Sequence, residues 1–378
     1  MASVDADIVI VGAGIIGGAL AAEMSRERMQ VLMFDRQRPA AEATWAAAGM
    51  LVQAPEPTDS PALAPLSRAS LDLYPSFVEE IEKESGIRVG FQRNGALLAF
   101  FGPKGGHEQA EHRAGLARMG FSCQALTGEE ARRHEPRLNP EVTAGLWLAE
   151  EASVDNRTLG RAVIVAAQRR GAVLRSGVEV TRLLIDGNRC RGVIAAGEKI
   201  PAAHVVIAAG CYSARIEPYG LYSPTRPVRG QMVSLDAGGA RPGLVLRSEH
   251  GYLVPREDGR VLAGSTLEDA GFDKSLTPQG LRRILAAAAE MVPALDSAPI
   301  LETWSGLRPD TPDHMPILGP TEIEGLSIAT GHFRSGILLA PITARLARQW
   351  LLGQKTDLPI EAFTPLRFAG SLPSQTGH

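Results

Sequence analysis

Residues 7–17 read Asp7-Ile8-Val9-Ile10-Val11-Gly12-Ala13-Gly14-Ile15-Ile16-Gly17. A β-branched run with no polar interruption after Asp7 predicts a strand buried on both faces, as in a parallel sheet. Three glycines follow with the spacing GxGxxG. Gly12 permits a tight turn, Gly14 lets backbone approach a pyrophosphate, and Gly17 lets helix and strand pack closely. The helix N-terminus beyond them offers free N–H groups and a partial positive charge to phosphates. Gly18 to Arg28 predicts that helix, and Val31-Leu32-Met33-Phe34 a second buried strand. Asp35 ends this strand, about 20 residues after the glycines, where a carboxylate accepts hydrogen bonds from ribose hydroxyls. These parts fit one βαβ unit, and the chain is expected to bind a dinucleotide. FAD and a nicotinamide dinucleotide both remain open. Arg36 is either a ligand for the 2′-phosphate of NADP or a cation near the adenine edge or in solvent. The neighbouring Asp35 would repel a 2′-phosphate.

Two segments further along bear on that choice. Thr44-Trp45-Ala46-Ala47-Ala48-Gly49-Met50-Leu51 is a row of small residues that lets backbone lie against a flat ring, with Met50 as a soft neighbour. Gly331-His332-Phe333-Arg334-Ser335-Gly336 leads into the last long helix. A helix N-terminus there could face the pyrimidine end of a flavin and stabilise negative charge developing on it. Each segment also has a plainer reading, as a small-residue turn and as a capped helix.

The whole chain sets the frame. Its 378 residues suggest two domains. With 44% hydrophobic and 21% charged residues it is an ordinary globular sequence. A formal charge of −3 gives no basic patch for nucleic acid or an anionic membrane. No apolar run reaches the roughly 18 residues of a membrane span, and the first residues lack a basic signal-peptide start, so a cytoplasmic protein is expected. Cys123, Cys190 and Cys211 are too far apart for a disulfide framework or a zinc knuckle, and no metal is expected.

The predicted fold class is α/β (α+β overall): a Rossmann-like domain, interrupted twice, with a second domain built on an antiparallel sheet. The expected boundaries are 1–85, 150–222 and 310–366 for the nucleotide domain, 86–149 and 223–309 for the substrate domain, and 367–378 for a flexible tail. Leu66 to Lys83 predicts a helix that Pro75 kinks or breaks. Thr127-Gly128-Glu129-Glu130 is a capping box. Strands are expected at Val173 to Arg175, Val178 to Val180, Arg191 to Ile194 and His204 to Ile207. Val89 to Ala149 reads as short mixed segments, and the stretch between Arg226 and Thr266 alternates in antiparallel style.

Taken together, these motifs resemble the D-amino-acid oxidase superfamily of FAD enzymes, and within it the glycine oxidase family of thiamine biosynthesis. The matching stretches are Ile8 to Gly17, Ala46 to Leu51, Val205 to Gly210, Pro227 to Gln231, Tyr252 to Arg256, Trp304 to Pro309 and His332 to Pro341. They run nearly the whole chain in the right order. The resemblance implies FAD contacts at Ile15, Ile16, Asp35, Arg36, Ala43, Thr44, Ala48, Gly49, Met50, Val180, His332, Phe333, Arg334, Ser335, Gly336, Ile337 and Leu338. Family members often carry Glu where this chain has Asp35. Related sarcosine oxidases attach their flavin through a Cys in the stretch aligned with Trp304 to Asp313. No thiol occurs there, so non-covalent FAD is expected. A homo-oligomer, a homotetramer in this family, is also implied.

Arg308 is the first candidate for the substrate carboxylate, because a guanidinium presents two parallel N–H donors that match it; the plainer alternative is an ion pair with Asp310 or Asp313. Tyr252 could add a hydroxyl, or be a core tyrosine. His250, two residues earlier and so on the same strand face, could shape the cavity or lie at the surface. Arg334 could sit near flavin and substrate, or be a solvated residue at a helix start. Leu267 stands where glycine oxidase can carry Met. The implied reaction is oxidative deamination of glycine, sarcosine, D-alanine or a similar small amine by hydride transfer to flavin, with oxygen as the acceptor. It yields a 2-oxo acid (glyoxylate from glycine), ammonia and hydrogen peroxide. Two other readings are an amino-acid dehydrogenase that passes electrons to a quinone or partner protein, and a non-catalytic FAD-binding module.

Overall fold

The computed structural model describes residues 6–52, 60–218 and 223–371. Its first sheet grows from the strand that begins the sequence argument. Ala6–Val11 pairs in parallel with Val31–Asp35 on one side and Glu198–Ile207 on the other. Val173–Ser176 and Leu326–Thr330 extend the parallel order outward, and Ile317–Pro320 closes one edge antiparallel. Ile8, Val9 and Ile10 are fully buried, as a β-branched strand covered on both faces must be. Helices Ile15–Arg26, Leu63–Ser85, Asn156–Arg169 and Gly336–Leu351 supply the side chains of one large core against this sheet. A hairpin, Val180–Asp186 with Arg189–Ala195, hangs antiparallel on Glu198–Ile207.

The second sheet has eight strands in the order Ile300–Asp310, Arg226–Asp236, Arg260–Gly264, Tyr252–Pro255, Val245–Arg247, Ala96–Phe101, Val142–Leu148, Gln124–Thr127. It is antiparallel except where Val245–Arg247 meets Ala96–Phe101. The fold is therefore mixed α/β, with a parallel nucleotide-type sheet beside a largely antiparallel one.

Several local expectations are corrected. The first helix starts at Ile15 and ends at Arg26, because the turn delivers the chain into helix before Gly17. Pro75 does not break the helix: Leu63–Ser85 runs through it as one 23-residue element. Packing on the last helix outweighs the missing N–H, since Ser70 and Tyr74 donate to the Leu338 and Ile337 carbonyls, each at 2.6 Å. The strand expected at 178–180 begins only at Val180; the Val178 N–H bonds the Asp35 carbonyl instead. Between 86 and 149 lies a 14-residue helix, Gly105–Arg118, that the short mixed reading missed. It buries only Gly105 and Leu116, so it carries little periodic signal. A flexible tail is expected over 367–378. Arg367 is anchored on Asp313 at 2.7 and 3.1 Å within the turn Pro365–Ser371. Residues 372–378 lie outside the described ones.

Two histidines make stability depend on pH. His204 bonds Ser327 across neighbouring strands at 2.9 Å, and burial lowers its pKa to about 4. His332 bonds Thr343 at 3.0 Å, and burial lowers its pKa to about 3. Both are neutral in the folded chain, whereas an unfolded histidine takes a proton near pH 6.5. Their contribution is complete above about pH 6.5 and falls as pH drops towards 4 and 3. Thermal melts are expected to show a falling Tm over that range, with a shallower fall in His204→Gln. Parallel curves for variant and wild type would contradict this assignment.

Candidate active site

The cleft is built on the glycine turn. At Gly12 the backbone has φ +104°, and a Cβ there would lie 2.4 Å from the Ala208 carbonyl oxygen. At Gly17 a Cβ would lie 1.9 Å from the Gly12 carbonyl oxygen. The turn therefore has no room for side chains and sits directly against the end of strand Glu198–Ile207. Three of its N–H groups are used within the protein: Gly12 donates to the Phe34 carbonyl at 2.8 Å, Ala13 to Asp35 Oδ2 at 3.0 Å and Ile15 to Thr44 Oγ1 at 2.9 Å. The Gly14 N-cap of helix Ile15–Arg26 supplies no side chain, and the N–H of Ile16, which lines the cleft, finds no acceptor among the described residues. Open donors on a helix N-terminus are what a pyrophosphate requires.

From this turn a cavity of about 590 Å³ runs in two directions. One end is bounded by Asp35, Arg36, Val180 and Tyr212. Burial raises the pKa of Asp35 even though backbone N–H groups of Gln37 and Ala13 stabilise its anion. Arg36 lines this end with its side chain partly exposed. It pairs with Glu42 at 2.9 Å and stacks 3.4 Å over the Tyr212 ring, a contact that no sequence motif announced. The other end is bounded by Ala43, Thr44, Ala48, Gly49 and Met50 on one wall and by His332, Phe333, Arg334, Gly336 and Ile337 on another. The carbonyls of the small-residue wall are held from behind. Trp304 Nε1 donates to Ala46 at 3.0 Å, Asn156 to Thr44 and Trp45 at 2.8 and 3.1 Å, and Arg256 to Ala48 at 2.7 Å. The opposite wall is the start of helix Gly336–Leu351, which also lacks a capping side chain.

At this second end lies Arg308. Its guanidinium packs flat on Gly230, where a Cβ would come within 2.3 Å of Nη1. Nη2 donates to Ser265 Oγ at 2.6 Å and Nη1 to the Thr266 carbonyl at 3.2 Å. The alternative ion pairs are absent. Asp310 takes Arg226 and His314, and Asp313 takes Arg367. Among the described residues no carboxylate lies within salt-bridge distance of Arg308. Burial lowers its pKa, and the nearby Arg334 charge adds to that. Tyr252 borders the same space, with its hydroxyl 3.3 Å from the Met232 sulfur. An outer cavity of about 700 Å³ shares Met50, Tyr252, Ser265, Arg308 and Arg334 with the cleft.

Not every candidate is gathered here. His250 precedes strand Tyr252–Pro255 instead of lying on it, and is exposed. Its Nδ1 is 2.8 Å from Glu290, whose hydrogen bond raises its pKa, and it borders only the outer cavity. Ser335 and Leu338 face that outer cavity as well, and Leu267 on its rim is 60% exposed. Gly17 serves packing and does not line the cleft. Cys211, next to the Val205 to Gly210 stretch, does line it, but burial pushes its thiol up to about 12. Ser265, Thr266, Asn156 and Tyr212 were not singled out in the sequence.

The residues present fit a flavin dinucleotide: a close-approach glycine turn with open N–H donors, an acid at one end and a flat small-residue wall at the other. The chain belongs to the FAD dependent oxidoreductase (DAO) family, whose sequence signature matches residues 7–350. It is 36% identical over 375 residues to the bifunctional protein ThiO/ThiG of Trichormus variabilis, covering 96% of this chain but 55% of that one. The chain thus spans about half the length of these longer relatives. It is 32% identical over 370 residues to glycine oxidase of Geobacillus kaustophilus, covering 97% of this chain and 98% of the relative. The crystal structure of Geobacillus kaustophilus glycine oxidase superposes with a TM-score of 0.90, covering 99% of this chain and 100% of that one at 31% identity. Iminodiacetate oxidase from Chelativorans sp. BNC1 superposes at 0.86 with 28% identity, covering 95% and 98%. Among the described residues no helix is long and apolar enough to cross a membrane.

Gly17→Ala is expected to yield folded protein with little bound flavin, because the new Cβ must displace the turn. Flavin absorbance after gel filtration measures this, and full yellow occupancy in the variant would contradict the account of the turn.

Proposed function

We propose that this protein oxidises a small α-amino acid or amine carboxylate, glycine or sarcosine among them, with FAD as its non-covalent redox group and oxygen as the final acceptor. The observation that carries the proposal is Arg308: a guanidinium at the end of the FAD cleft, seated by Ser265 and Thr266 and left without a carboxylate of its own. The names of the glycine oxidases and ThiO/ThiG proteins that this chain resembles support the same substrate class, and a role in thiamine biosynthesis accords with the second name.

Bound FAD supplies a two-electron acceptor for the substrate Cα–H bond. The protein's part is to bind and orient. Arg308 receives the carboxylate through its two parallel donors, while Gly230 beneath it and the Thr266 carbonyl beside it prevent the guanidinium from swinging away. Tyr252 stands beside the same position, its hydroxyl shared between the Met232 sulfur and Arg308, where it can donate to a carboxylate oxygen. The substrate amine must be unprotonated for its electrons to assist, so turnover rises with pH until the amine is neutral. No side chain is required to remove a proton from Cα. The imino acid released hydrolyses to a 2-oxo acid and the free amine, ammonia from glycine and methylamine from sarcosine, and the electrons leave on oxygen as hydrogen peroxide.

The test is anaerobic mixing of the yellow protein with glycine, sarcosine, D-alanine and D-proline, followed by peroxide measurement in air. At least one is expected to bleach the flavin and then yield one peroxide per amine consumed. Arg308→Ala is expected to raise KM by roughly 10- to 100-fold, the loss of a charge-assisted contact of about 1.5–3 kcal/mol. An unchanged KM removes Arg308 from the substrate site. Bleaching without peroxide reassigns the acceptor, and no bleaching by any amine overturns the proposal.

A further inference from the structure

Arg256 follows strand Tyr252–Pro255 and is 5% exposed. Its Nη2 donates to two neutral acceptors, the Ala48 carbonyl at 2.7 Å and Asn156 Oδ1 at 2.9 Å. Among the described residues no carboxylate comes within salt-bridge distance of it. The two nearest in effect, Asp155 and Asp258, are both engaged by Arg260, at 3.9 and 2.7 Å. A buried arginine ordinarily has a counter-ion, and this one has only dipoles. Burial lowers its pKa to about 10, which still leaves it charged at neutral pH.

Its position gives that charge a target. Ala48 and Gly49 form the wall of the FAD cleft, and a Cβ on Gly49 would lie 3.2 Å from Arg256 Nη2. The guanidinium is therefore directly behind the wall. This is the wall of the redox end and not the adenosine end: Ala46 and Ala48 pack in one cluster with Met232, Trp304 and Tyr252, the neighbours of the Arg308 site. A positive charge in a low-dielectric interior interacts strongly with charge gained nearby.

We propose that Arg256 tunes the cofactor's redox chemistry: its buried guanidinium, hydrogen-bonded to Ala48 behind the cleft wall, raises the reduction potential of the FAD held there. It acts through the wall as a positioning residue of electrostatic kind and touches no substrate. The role goes beyond the choice of amine, and its test contains none, so the two readings fail independently.

The experiment is dye-equilibrated reductive titration of the FAD-loaded protein at fixed pH and ionic strength. In Arg256→Gln, which keeps donors for Ala48 and Asn156 but removes the charge, the two-electron equilibrium is expected to become at least tenfold less favourable, about 30 mV lower. Arg256→Lys keeps the charge and is expected to stay within about threefold of wild type, a small fraction of that shift. Asp155→Asn changes the balance from the other side. Asn caps helix Asn156–Arg169 as well as Asp does, but removes an anion that offsets Arg256, so the potential is expected to rise. A wild-type potential in Arg256→Gln, or an equal fall in Arg256→Lys and Arg256→Gln, overturns the proposal. Should Arg256→Gln not retain FAD, Asp155→Asn decides: a rise supports the proposal and an unchanged potential overturns it.

Discussion

Backbone meets backbone at Gly12, where the first turn lies against the Ala208 carbonyl with no space for a side chain between them. The cleft follows from that contact. It sets the turn at the ends of two parallel strands and points helix Ile15–Arg26 into the space beyond them. It also brings Ala13 within reach of Asp35 and Ile15 within reach of Thr44. Thr44 begins the small-residue wall, so the glycine turn also sets the position of that wall across the cleft. A side chain at Gly12 would move all of these at once.

The second sheet reaches this wall through a few polar anchors. Trp304 and Arg256 come from its strands or their ends and bond the carbonyls of Ala46 and Ala48. Arg157 ties Glu302 at 2.8 Å and stacks 3.8 Å over Trp45. Arg229, 7% exposed, gathers Glu268 and Asp273 and so fastens the loop after strand Arg260–Gly264, whose first residues seat Arg308. The two sheets are joined at the walls of the cleft, and the substrate end inherits its geometry from the nucleotide end.

The sequence disclosed the parts whose physics is local. The βαβ unit was legible because a β-branched run, three spaced glycines and an acid all act within one stretch. Arg308 was singled out through its motif and through the fit of guanidinium to carboxylate, and it lies in the cleft. What escaped depended on partners far away in the chain. His250 shares a two-residue spacing with Tyr252, but Glu290 draws it outward. Arg36 was set between a 2′-phosphate and a place near the adenine edge or in solvent, and its partners Glu42 and Tyr212 could not be read from the sequence. Ser265 and Thr266 carry no periodic or compositional signal; only Arg308 gives them a role. Helix Gly105–Arg118 was missed because a helix with two buried positions has almost no apolar face to read.

The bonds from Ser70 and Tyr74 to the first carbonyls of helix Gly336–Leu351 have a consequence for the redox end of the cleft. A helix start in water frays, and its dipoles must be reoriented whenever charge appears beside them. Here Ile337 and Leu338 are tied to a second helix packed beneath them, so the N–H groups of that turn keep one orientation before and after electrons arrive. Were negative charge to develop at that helix start, as in the proposed oxidation, it would meet dipoles already held in place, with little reorganisation to undergo.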